Sequence, residues 1–158
     1  MVAMMLTALL MLSGTALAKE ILGTPRDDRL AGTARGDVIS ARGGDDTVNG
    51  RGGNDELYGQ RAKDFVSGLG GNDELYGGTG NDTLRGGNGV DYLSGGTGAD
   101  NLEGGPATDE LSGGPNNDTI NALGGGLDNV SCGLGTNDRT IADTNDGVSG
   151  DCERVTTR

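Results

Sequence analysis

An aspartate recurs at every ninth position through most of the chain, and an aliphatic residue follows each aspartate two positions later. Eleven aspartates keep this spacing without a miss, and a twelfth follows after a one-residue insertion near Ala122. The aspartates are Asp28, Asp37, Asp46, Asp55, Asp64, Asp73, Asp82, Asp91, Asp100, Asp109, Asp118 and Asp128. The aliphatic residues are Leu30, Ile39, Val48, Leu57, Val66, Leu75, Leu84, Leu93, Leu102, Leu111, Ile120 and Val130. The unit reads G-G-x-G-x-D-x-U-x, with U aliphatic, and so strict a period predicts a repeat architecture.

Each nine-residue unit is interpreted as a six-residue turn followed by a three-residue strand. Side chains alternate across a strand, so only the middle residue, which is the aliphatic one, faces inward. Two such units then form one coil, which is twice nine residues long and has a strand on each side of a thin aliphatic seam. The chain is therefore predicted to be all-β, a parallel β-roll in which units two apart stack on the same side.

This stacking sorts the aspartates into two columns. One column holds Asp28, Asp46, Asp64, Asp82, Asp100 and Asp118, and the other holds Asp37, Asp55, Asp73, Asp91 and Asp109. Stacked strands lie about 4.8 Å apart, and carboxylates at that distance repel one another by roughly 0.9 kcal/mol even in water. A divalent cation between successive turns would reverse the sign of this energy.

Composition supports a cation as the partner of the chain. The net charge is −12, with 18 Asp against 6 Glu, and nucleic acid and anionic membrane surfaces would repel this charge. The absence of His from the sequence excludes the usual catalytic triads and His-containing zinc sites. Oxygen ligands in repeats without Cys favour Ca²⁺ over zinc or copper, and Mg²⁺ demands a tighter octahedron.

The same composition is also typical of a disordered linker. Glycine contributes 33 of the 158 residues, and glycine adds no apolar area to a core. A linker has no reason to place an aliphatic residue at every ninth position, so the period favours a folded roll in saturating calcium. Without calcium, disorder is the favoured state.

Over residues 23–131 the repeats resemble the haemolysin-type, or repeat-in-toxin (RTX), calcium-binding nonapeptides. The resemblance implies that each Ca²⁺ is held by aspartates of two stacked turns and by backbone carbonyls, so all twelve aspartates are candidate ligands. The expected carbonyl ligands belong to Gly77, Thr79, Gly86, Asn88, Gly95 and Thr97. The repeats that best match the glycine pattern place the strongest sites at Asp73, Asp82, Asp91, Asp100, Asp109 and Asp118. The first two coils are poorer matches and are expected to bind weakly or to act as an amino-terminal cap.

Residues 1–18 are interpreted as a signal peptide, and the repeat domain follows over residues 19–131. Residues Val2 to Leu17 carry no charge and lead into the small-x-small sequence Ala16-Leu17-Ala18, after which cleavage is expected. No Lys or Arg precedes the apolar run, so an uncleaved anchor is the alternative interpretation. Cleavage would release a secreted protein, with no membrane insertion, into an oxidising and calcium-rich compartment.

Residues 132–158 lose the nine-residue period and are predicted to cap the last coil. They hold the only two cysteines, Cys132 and Cys152, which favours one disulfide in a secreted chain, with two free thiols as the alternative. Ile141, Val148 and Val155 lie at seven-residue steps in this tail and suggest distorted coils. The ending also resembles that of secreted actinobacterial members of the repeat family.

These features predict a secreted calcium-binding repeat protein whose roll folds on the bound ions. A calcium-stiffened structural or adhesive protein, with an unidentified protein or polysaccharide partner, is the alternative. The outward residues, among them Glu56, Phe65, Glu74, Thr83 and Tyr92, suggest no flat ladder of Thr or aromatic residues of the kind that ice or sugar binding uses. No nucleophile–base pair is visible, so neither an enzymatic activity nor a catalytic residue is expected.

Overall fold

Residues 18–158, which the computed structural model describes, form parallel β-strands that alternate between two sheets of eight strands. Sheet A contains β1 (Glu20–Leu22), β3 (Val38–Ser40), β5 (Glu56–Arg61), β7 (Glu74–Thr79), β9 (Tyr92–Thr97), β11 (Glu110–Pro115), β13 (Asn129–Leu134) and β15 (Gly147–Val148). Sheet B contains β2 (Arg29–Ala31), β4 (Thr47–Asn49), β6 (Phe65–Gly70), β8 (Thr83–Asn88), β10 (Asn101–Glu103), β12 (Thr119–Ala122), β14 (Arg139–Ala142) and β16 (Arg154–Thr157). The chain thus winds through about eight coils, which confirms the predicted parallel β-roll.

The register between neighbouring strands follows the coil length. Leu75 pairs with Leu93, which lies one coil, or two nonapeptides, further along the chain. The step is one residue longer between Leu111 and Val130, because the sequence carries its insertion near Ala122. It is two residues longer than a regular coil between Ile120 and Thr140. The turns absorb the extra residues, so the strands stay in line.

The core is a single seam of aliphatic side chains between the two sheets. All but the first of the predicted inward residues are completely buried, and Leu30, in the outermost coil, is partly buried. The completely buried ones are Ile39, Val48, Leu57, Val66, Leu75, Leu84, Leu93, Leu102, Leu111, Ile120 and Val130. Burying such a side chain stabilises a fold by about 1.5–3 kcal/mol, so the seam is the main apolar contribution to stability.

The central strands are longer than the sequence suggested. The prediction of three-residue strands is confirmed for β1–β4 and β10 but is wrong for β5–β9, β11 and β13, which have six residues each. In β7 the alternation continues past Leu75, so Gly77 also faces inward and is buried. This second inward position accepts only small residues, and Ala41 and Cys132 occupy it in other coils, both completely buried.

The tail adds coils to the same two sheets rather than forming a separate unit. Strands β13 to β16 continue the parallel pairing, and the predicted disulfide joins Cys132 to Cys152, with 5.2 Å between their Cα atoms. Closing this loop stabilises the fold by about 3 kcal/mol in the chain-entropy model. Thr140, and not Ile141, takes the inward position beside Ile120, because two residues are inserted before this strand.

No helix within residues 18–158 is long and apolar enough to cross a membrane. The predicted signal peptide, residues 1–18, lies outside the described residues except for Ala18.

Candidate metal centre

The repeat aspartates stack in two columns, one beside each sheet, as the coil length predicted. Within a column, the backbone N–H of each aspartate donates to Oδ1 of the aspartate one coil later. Asp64 donates in this way to Asp82, and Asp82 donates to Asp100, both at 2.8 Å. One column runs Asp28, Asp46, Asp64, Asp82, Asp100, Asp118, Asp138, and the other runs Asp37, Asp55, Asp73, Asp91, Asp109, Asp128, Asp146. Each Oδ1 that accepts in this way is satisfied by the backbone.

The second carboxylate oxygen, Oδ2, has no hydrogen-bond partner within residues 18–158 in most of these aspartates. The aspartates concerned are only 0–3 % exposed. Their unpartnered, buried Oδ2 atoms belong to Asp46, Asp55, Asp64, Asp73, Asp82, Asp91, Asp100, Asp109, Asp118, Asp128 and Asp138. A buried polar atom without a partner costs about 1–3 kcal/mol, and more when it is charged, so a row of them needs an external partner.

Most of these Oδ2 atoms face a small space that a glycine keeps open. A methyl group added to Gly77 would lie 2.6 Å from Oδ2 of Asp82 and 2.5 Å from the carbonyl oxygen of Gly95. Two acceptor oxygens thus converge on one space, and neither is a donor to the other. The sharing of one space by a carboxylate and a carbonyl oxygen fits a hard cation such as Ca²⁺, which takes only oxygen ligands.

Burial raises the pKa of these carboxyl groups above their ordinary value of 3.8. The backbone hydrogen bond to Oδ1 lowers the pKa in part, and neighbouring carboxylates in the same column raise it further. The pKa rises to about 7 at Asp64, Asp91 and Asp118, and to about 6 at Asp55, Asp82 and Asp128. The charged form of each column is therefore disfavoured unless a cation or a proton compensates it.

The first coil differs from this pattern. The backbone N–H of Thr24 donates to Oδ2 of Asp28 at 2.6 Å, and the N–H of Thr33 donates to Oδ2 of Asp37 at 2.6 Å. These two oxygens therefore have a partner inside the protein. Thr24 and Thr33 stand at the second position of their turns, where later coils place their backbone in the left-handed region.

Several turns keep a left-handed backbone at positions where another residue replaces the glycine of the repeat. Leu69 has φ of 75° and Gln60 has φ of 81°, close to the region that Gly78 and Gly87 occupy in the following turns. The remaining non-glycine residues with positive φ are Arg42, Arg51, Ala62 and Asn116. Replacement of the second glycine therefore changes the turn only in the first coil, since the later turns keep the same backbone path.

The predicted carbonyl ligands divide into two groups. The carbonyl oxygens of Gly77, Gly86 and Gly95 each face the space beside the aspartate of the preceding coil. Those of Asn88 and Thr97 accept hydrogen bonds of 2.9 Å from the N–H groups of Gly71 and Gly80. The structure therefore brings the first carbonyls of the turns together with the carboxylates, while Thr79 lies exposed at the end of β7.

Side chains alone do not build these sites. Over residues 18–158 no three side chains of His, Cys, Asp or Glu come together as a group able to hold a metal ion. Any cation in a turn must therefore take backbone carbonyls as well as carboxylates. The column position of Asp138 was missed from the sequence, because Asp138 follows Asp118 by 20 residues and so falls outside the nine-residue period.

A family model for the RTX calcium-binding nonapeptide repeat matches the chain four times, over residues 22–57, 58–93, 67–102 and 94–126. The chain belongs to this RTX repeat family. The matched ranges together span residues 22–126, about two thirds of the sequence, and contain most of the two aspartate columns. No curated protein matches the chain. The family match and the unpartnered oxygens of the two aspartate columns therefore both point to calcium binding.

An aromatic cluster on the outer face of sheet A was also missed from the sequence. Tyr58 and Tyr76 stack with ring centroids 5.0 Å apart, and the ring of Tyr92 lies 5.7 Å from that of Tyr76. The cluster is not a flat ladder, because the ring of Tyr92 is tilted by 52° from that of Tyr76, but its three rings were not expected to be neighbours. The reason is the alternation between sheets: outward residues one nonapeptide apart, such as Glu56 and Phe65, lie on opposite faces, and only residues one full coil apart are neighbours.

Proposed function

We propose that this protein is a secreted calcium-binding RTX repeat protein whose β-roll folds on, and is stabilised by, Ca²⁺ held between successive turns. The observation that carries the proposal is the row of buried Oδ2 atoms, most of which face a carbonyl oxygen across a space that glycine leaves open. A row of acceptors without donors has a natural partner in a cation. The family match supports calcium as that cation.

The residues that would hold the ions are the column aspartates of the repeats, from Asp46 to Asp128. Each would contribute Oδ2, while the first carbonyl of a stacked turn, such as that of Gly95 beside Asp82, would contribute a second oxygen. A bound Ca²⁺ would neutralise carboxylates that otherwise repel one another along the column. In the folded roll a backbone N–H fixes Oδ1, which orients the carboxylate so that Oδ2 is left for the ion.

The energy from such sites is enough to decide whether the roll is folded. A site that is saturated tenfold stabilises the folded state by about 1.4 kcal/mol, so several sites together contribute as much as a whole domain's stability. The apolar seam is only one side chain wide per strand, because the second inward position holds glycine or another small residue. Folding would therefore depend on the calcium concentration.

Secretion is supported by two separate features. Residues 2–17 are uncharged and apolar and lead into Ala16-Leu17-Ala18, which is typical of a signal peptide cleavage site. The Cys132–Cys152 disulfide is typical of an oxidising compartment. Extracellular calcium modules bind at about 10⁻⁴–10⁻³ M, so external calcium would drive folding after export. No enzymatic role is part of the proposal.

The proposal is tested by far-UV circular dichroism of residues 19–158, first without calcium and then with millimolar calcium. We expect a coil spectrum that converts to a β spectrum on addition of calcium, and back again on chelation. Magnesium at the same concentration is the control and is expected to produce little conversion. A coil spectrum that calcium leaves unchanged would refute the proposal, and so would a β spectrum that persists in chelator at neutral pH.

A structural or adhesive role is the second candidate, and the tyrosine cluster on sheet A favours it. Three tyrosines lie side by side there, with Glu56 and Glu74 accepting hydrogen bonds from the hydroxyl groups of Tyr58 and Tyr76. Such a surface is suited to a polysaccharide, which binds through aromatic rings and polar groups together.

Retention on insoluble cell-wall polysaccharide, measured with calcium present, tests this role. Tyr76→Ser is expected to reduce retention severalfold. Phe65→Ser, which removes an aromatic ring from the outer face of sheet B, is the matched control and is expected to leave retention unchanged. Equal retention of both variants and the parent would exclude the tyrosine cluster as the contact.

A further inference from the structure

We propose that the disulfide-bearing tail holds a calcium site of its own, built on Asp138 and separate from the sites of the matched repeats. The matched repeats end at residue 126, and Asp138 lies beyond them in a turn that does not follow the nonapeptide pattern. The inference rests on the proposed function, because it assumes that the aspartate columns bind calcium.

The side chain of Asp138 is inaccessible to solvent, with 0 % exposure, as are those of the repeat aspartates from Asp37 to Asp128 to within a few per cent. Its Oδ1 accepts the backbone N–H of Asp118 at 2.8 Å, which places it in line with the repeat aspartates. Its Oδ2 has no hydrogen-bond partner in the part of the chain that the structure describes. A carboxylate buried this completely must be neutralised or coordinated, because an isolated buried charge is strongly unfavourable.

No basic side chain of residues 18–158 supplies that neutralisation. Arg85 and Glu103 form the one ion pair found in this range, and it lies on the outer face of sheet B. Arg154, which is near in the sequence, donates to the side chain of Asn137 instead. Glu153 brings a further acidic group, since the N–H of Asp138 donates to its Oε2 at 2.9 Å. The surroundings therefore favour a cation over a protein partner.

The space beside Asp138 is shaped differently from the spaces in the repeats. In the repeats, the first glycine of the turn keeps the space open, but Cys132 takes that position in the tail and carries the disulfide. Here Gly135 takes over, since a methyl group added to it would lie 2.5 Å from both carboxylate oxygens of Asp138. The same methyl group would lie 2.5 Å from the carbonyl oxygen of Asn116, one coil earlier.

One extra residue between Gly135 and Asp138 explains why Gly135, rather than the first residue of the turn, borders the carboxylate. Asp138 follows Gly135 by three residues, whereas Asp82 follows the corresponding Gly80 by two. The extra residue turns the carboxylate toward the later glycine, so both of its oxygens and one carbonyl border the same space. All three of these oxygens are acceptors. A group of three oxygen atoms around one space fits Ca²⁺, which takes oxygen ligands in irregular cages.

The site would tie the last matched coil to the tail. Asn116 belongs to the matched repeats, and Asp138 belongs to the coil that carries Cys132. The Sγ atom of Cys132 lies 3.2 Å from Oγ1 of Thr140, two residues after Asp138, so the site and the disulfide share one turn. Calcium in this site would hold the coil closed and slow the access of a reductant to the disulfide.

Counting bound calcium ions by equilibrium dialysis of residues 19–158 tests the site directly. Asp138→Asn and Gly135→Ala should each lower the count by one, the first by removing the charge and the second by filling the space. Asp143→Asn and Gly150→Ala are the matched controls, because Oδ2 of Asp143 already accepts two backbone N–H groups and nothing lies within 4 Å of a methyl group on Gly150. Both controls should keep the full count.

The rate of disulfide reduction by a phosphine gives a second measurement. At saturating calcium, reduction should be severalfold faster in Asp138→Asn and Gly135→Ala than in the parent and both controls. All variants are compared at saturating calcium, after circular dichroism has shown that their rolls are folded. An unchanged ion count in Asp138→Asn and Gly135→Ala would overturn the tail site. A parent chain that binds no calcium at all would instead overturn the proposed function.

Discussion

The first coil and the central coils share the Asp-x-aliphatic pattern, but the Oδ2 atoms of their aspartates have different surroundings. In the first coil, Oδ2 of Asp28 accepts the backbone N–H of Thr24. In a central coil, Oδ2 of Asp82 has no donor among residues 18–158 and faces a carbonyl oxygen across an open space. The Asp-x-aliphatic signature thus specifies the strand. The backbone conformation at the second residue of the turn decides whether Oδ2 accepts an N–H of the protein or is left for a cation.

The first coil therefore has the character of a cap. Its two turns satisfy Oδ2 internally, so this coil offers a cation fewer free oxygens than the later coils do. The repeat pattern alone treats Asp28 and Asp91 alike, whereas their hydrogen bonds separate them. Four experiments test this contrast between the coils.

The largest expected effect is that of pH on the calcium-free chain. Burial raises the pKa of Asp91 to about 7 and that of Asp82 to about 6, whereas an unfolded aspartate titrates at about 3.9. The folded state thus binds more protons between these values, and its stabilisation is complete below about pH 4 and is lost as the pH rises through about 6 and 7. We expect more β structure at about pH 5 than at about pH 8, measured by circular dichroism in buffer stripped of calcium.

The same measurement separates the two kinds of coil. Replacing Asp82 and Asp91 together by Asn should weaken the dependence on pH, because two buried carboxyl groups with raised pKa values are removed. Replacing Asp28 and Asp37 together by Asn is the matched control and should change the dependence less, because their Oδ2 atoms already accept backbone N–H groups. An equal change in the two double variants would contradict the distinction between the coils.

The second effect concerns calcium itself. At calcium concentrations that saturate each site tenfold, the Asp82→Asn and Asp91→Asn double variant should lose about 3 kcal/mol of the free energy of unfolding, since each site contributes about 1.4 kcal/mol. The first-coil double variant should lose none of this calcium-dependent stabilisation, because its Oδ2 atoms already accept backbone N–H groups. Urea unfolding at fixed calcium measures both values, and similar losses would refute the ranking of the sites.

The third effect comes from moving a feature of the first coil into the centre. Gly87 has φ of 110° at the turn position that Thr33 holds in the first coil, and a methyl group there would collide with the carbonyl oxygen of Leu69. Gly87→Thr should therefore destabilise the roll by about 2 kcal/mol and weaken calcium binding. Gly150→Thr, in open space, is the control for the added side chain. A Gly87→Thr variant as stable as the parent would show that the turn can adopt the first-coil form.

The smallest effect is a gain. Leu69 is 46 % exposed and has φ of 75°, a left-handed backbone that is unfavourable for a branched side chain. Leu69→Gly should stabilise the calcium-bound roll by about 0.5–1 kcal/mol, because relief of the strain exceeds the entropy cost of glycine. The midpoint of thermal unfolding measures this gain. A loss of stability would mean that Leu69 packs more favourably than its exposure indicates.

Much of the fold could be predicted from the sequence because one period determines several features at once. The spacing of Leu75 and Leu93 predicted their pairing, and the spacing of Asp82 and Asp100 predicted that they stack in one column, although not the hydrogen bond that joins them. The length of the strands could not be predicted in this way. Glycine has no side chain to show which way it faces, so the inward position of Gly77 left no mark in the hydrophobic pattern.

The rest of the site depended on residues outside the period. The closure of Asp28 by Thr24 involves a backbone N–H, which any residue but proline could donate, so only the backbone path reveals it. Asp138 was missed because inserted residues displaced it from the nine-residue grid. The inward position of Thr140 was missed for the same reason, since the neighbouring Ile141 is the more apolar residue.

The stacked aspartates also give the roll a direction. Each aspartate holds the N–H of the coil before it, as Asp82 holds that of Asp64 and Asp100 holds that of Asp82. The aspartate N–H of a coil therefore has no acceptor in its column until the following coil is in place. This requirement passes along the roll from each coil to the next. At Asp138 the series changes partner, since its N–H donates to Oε2 of Glu153, the residue after Cys152. The disulfide to Cys132 therefore also holds the acceptor that completes the Asp138 coil.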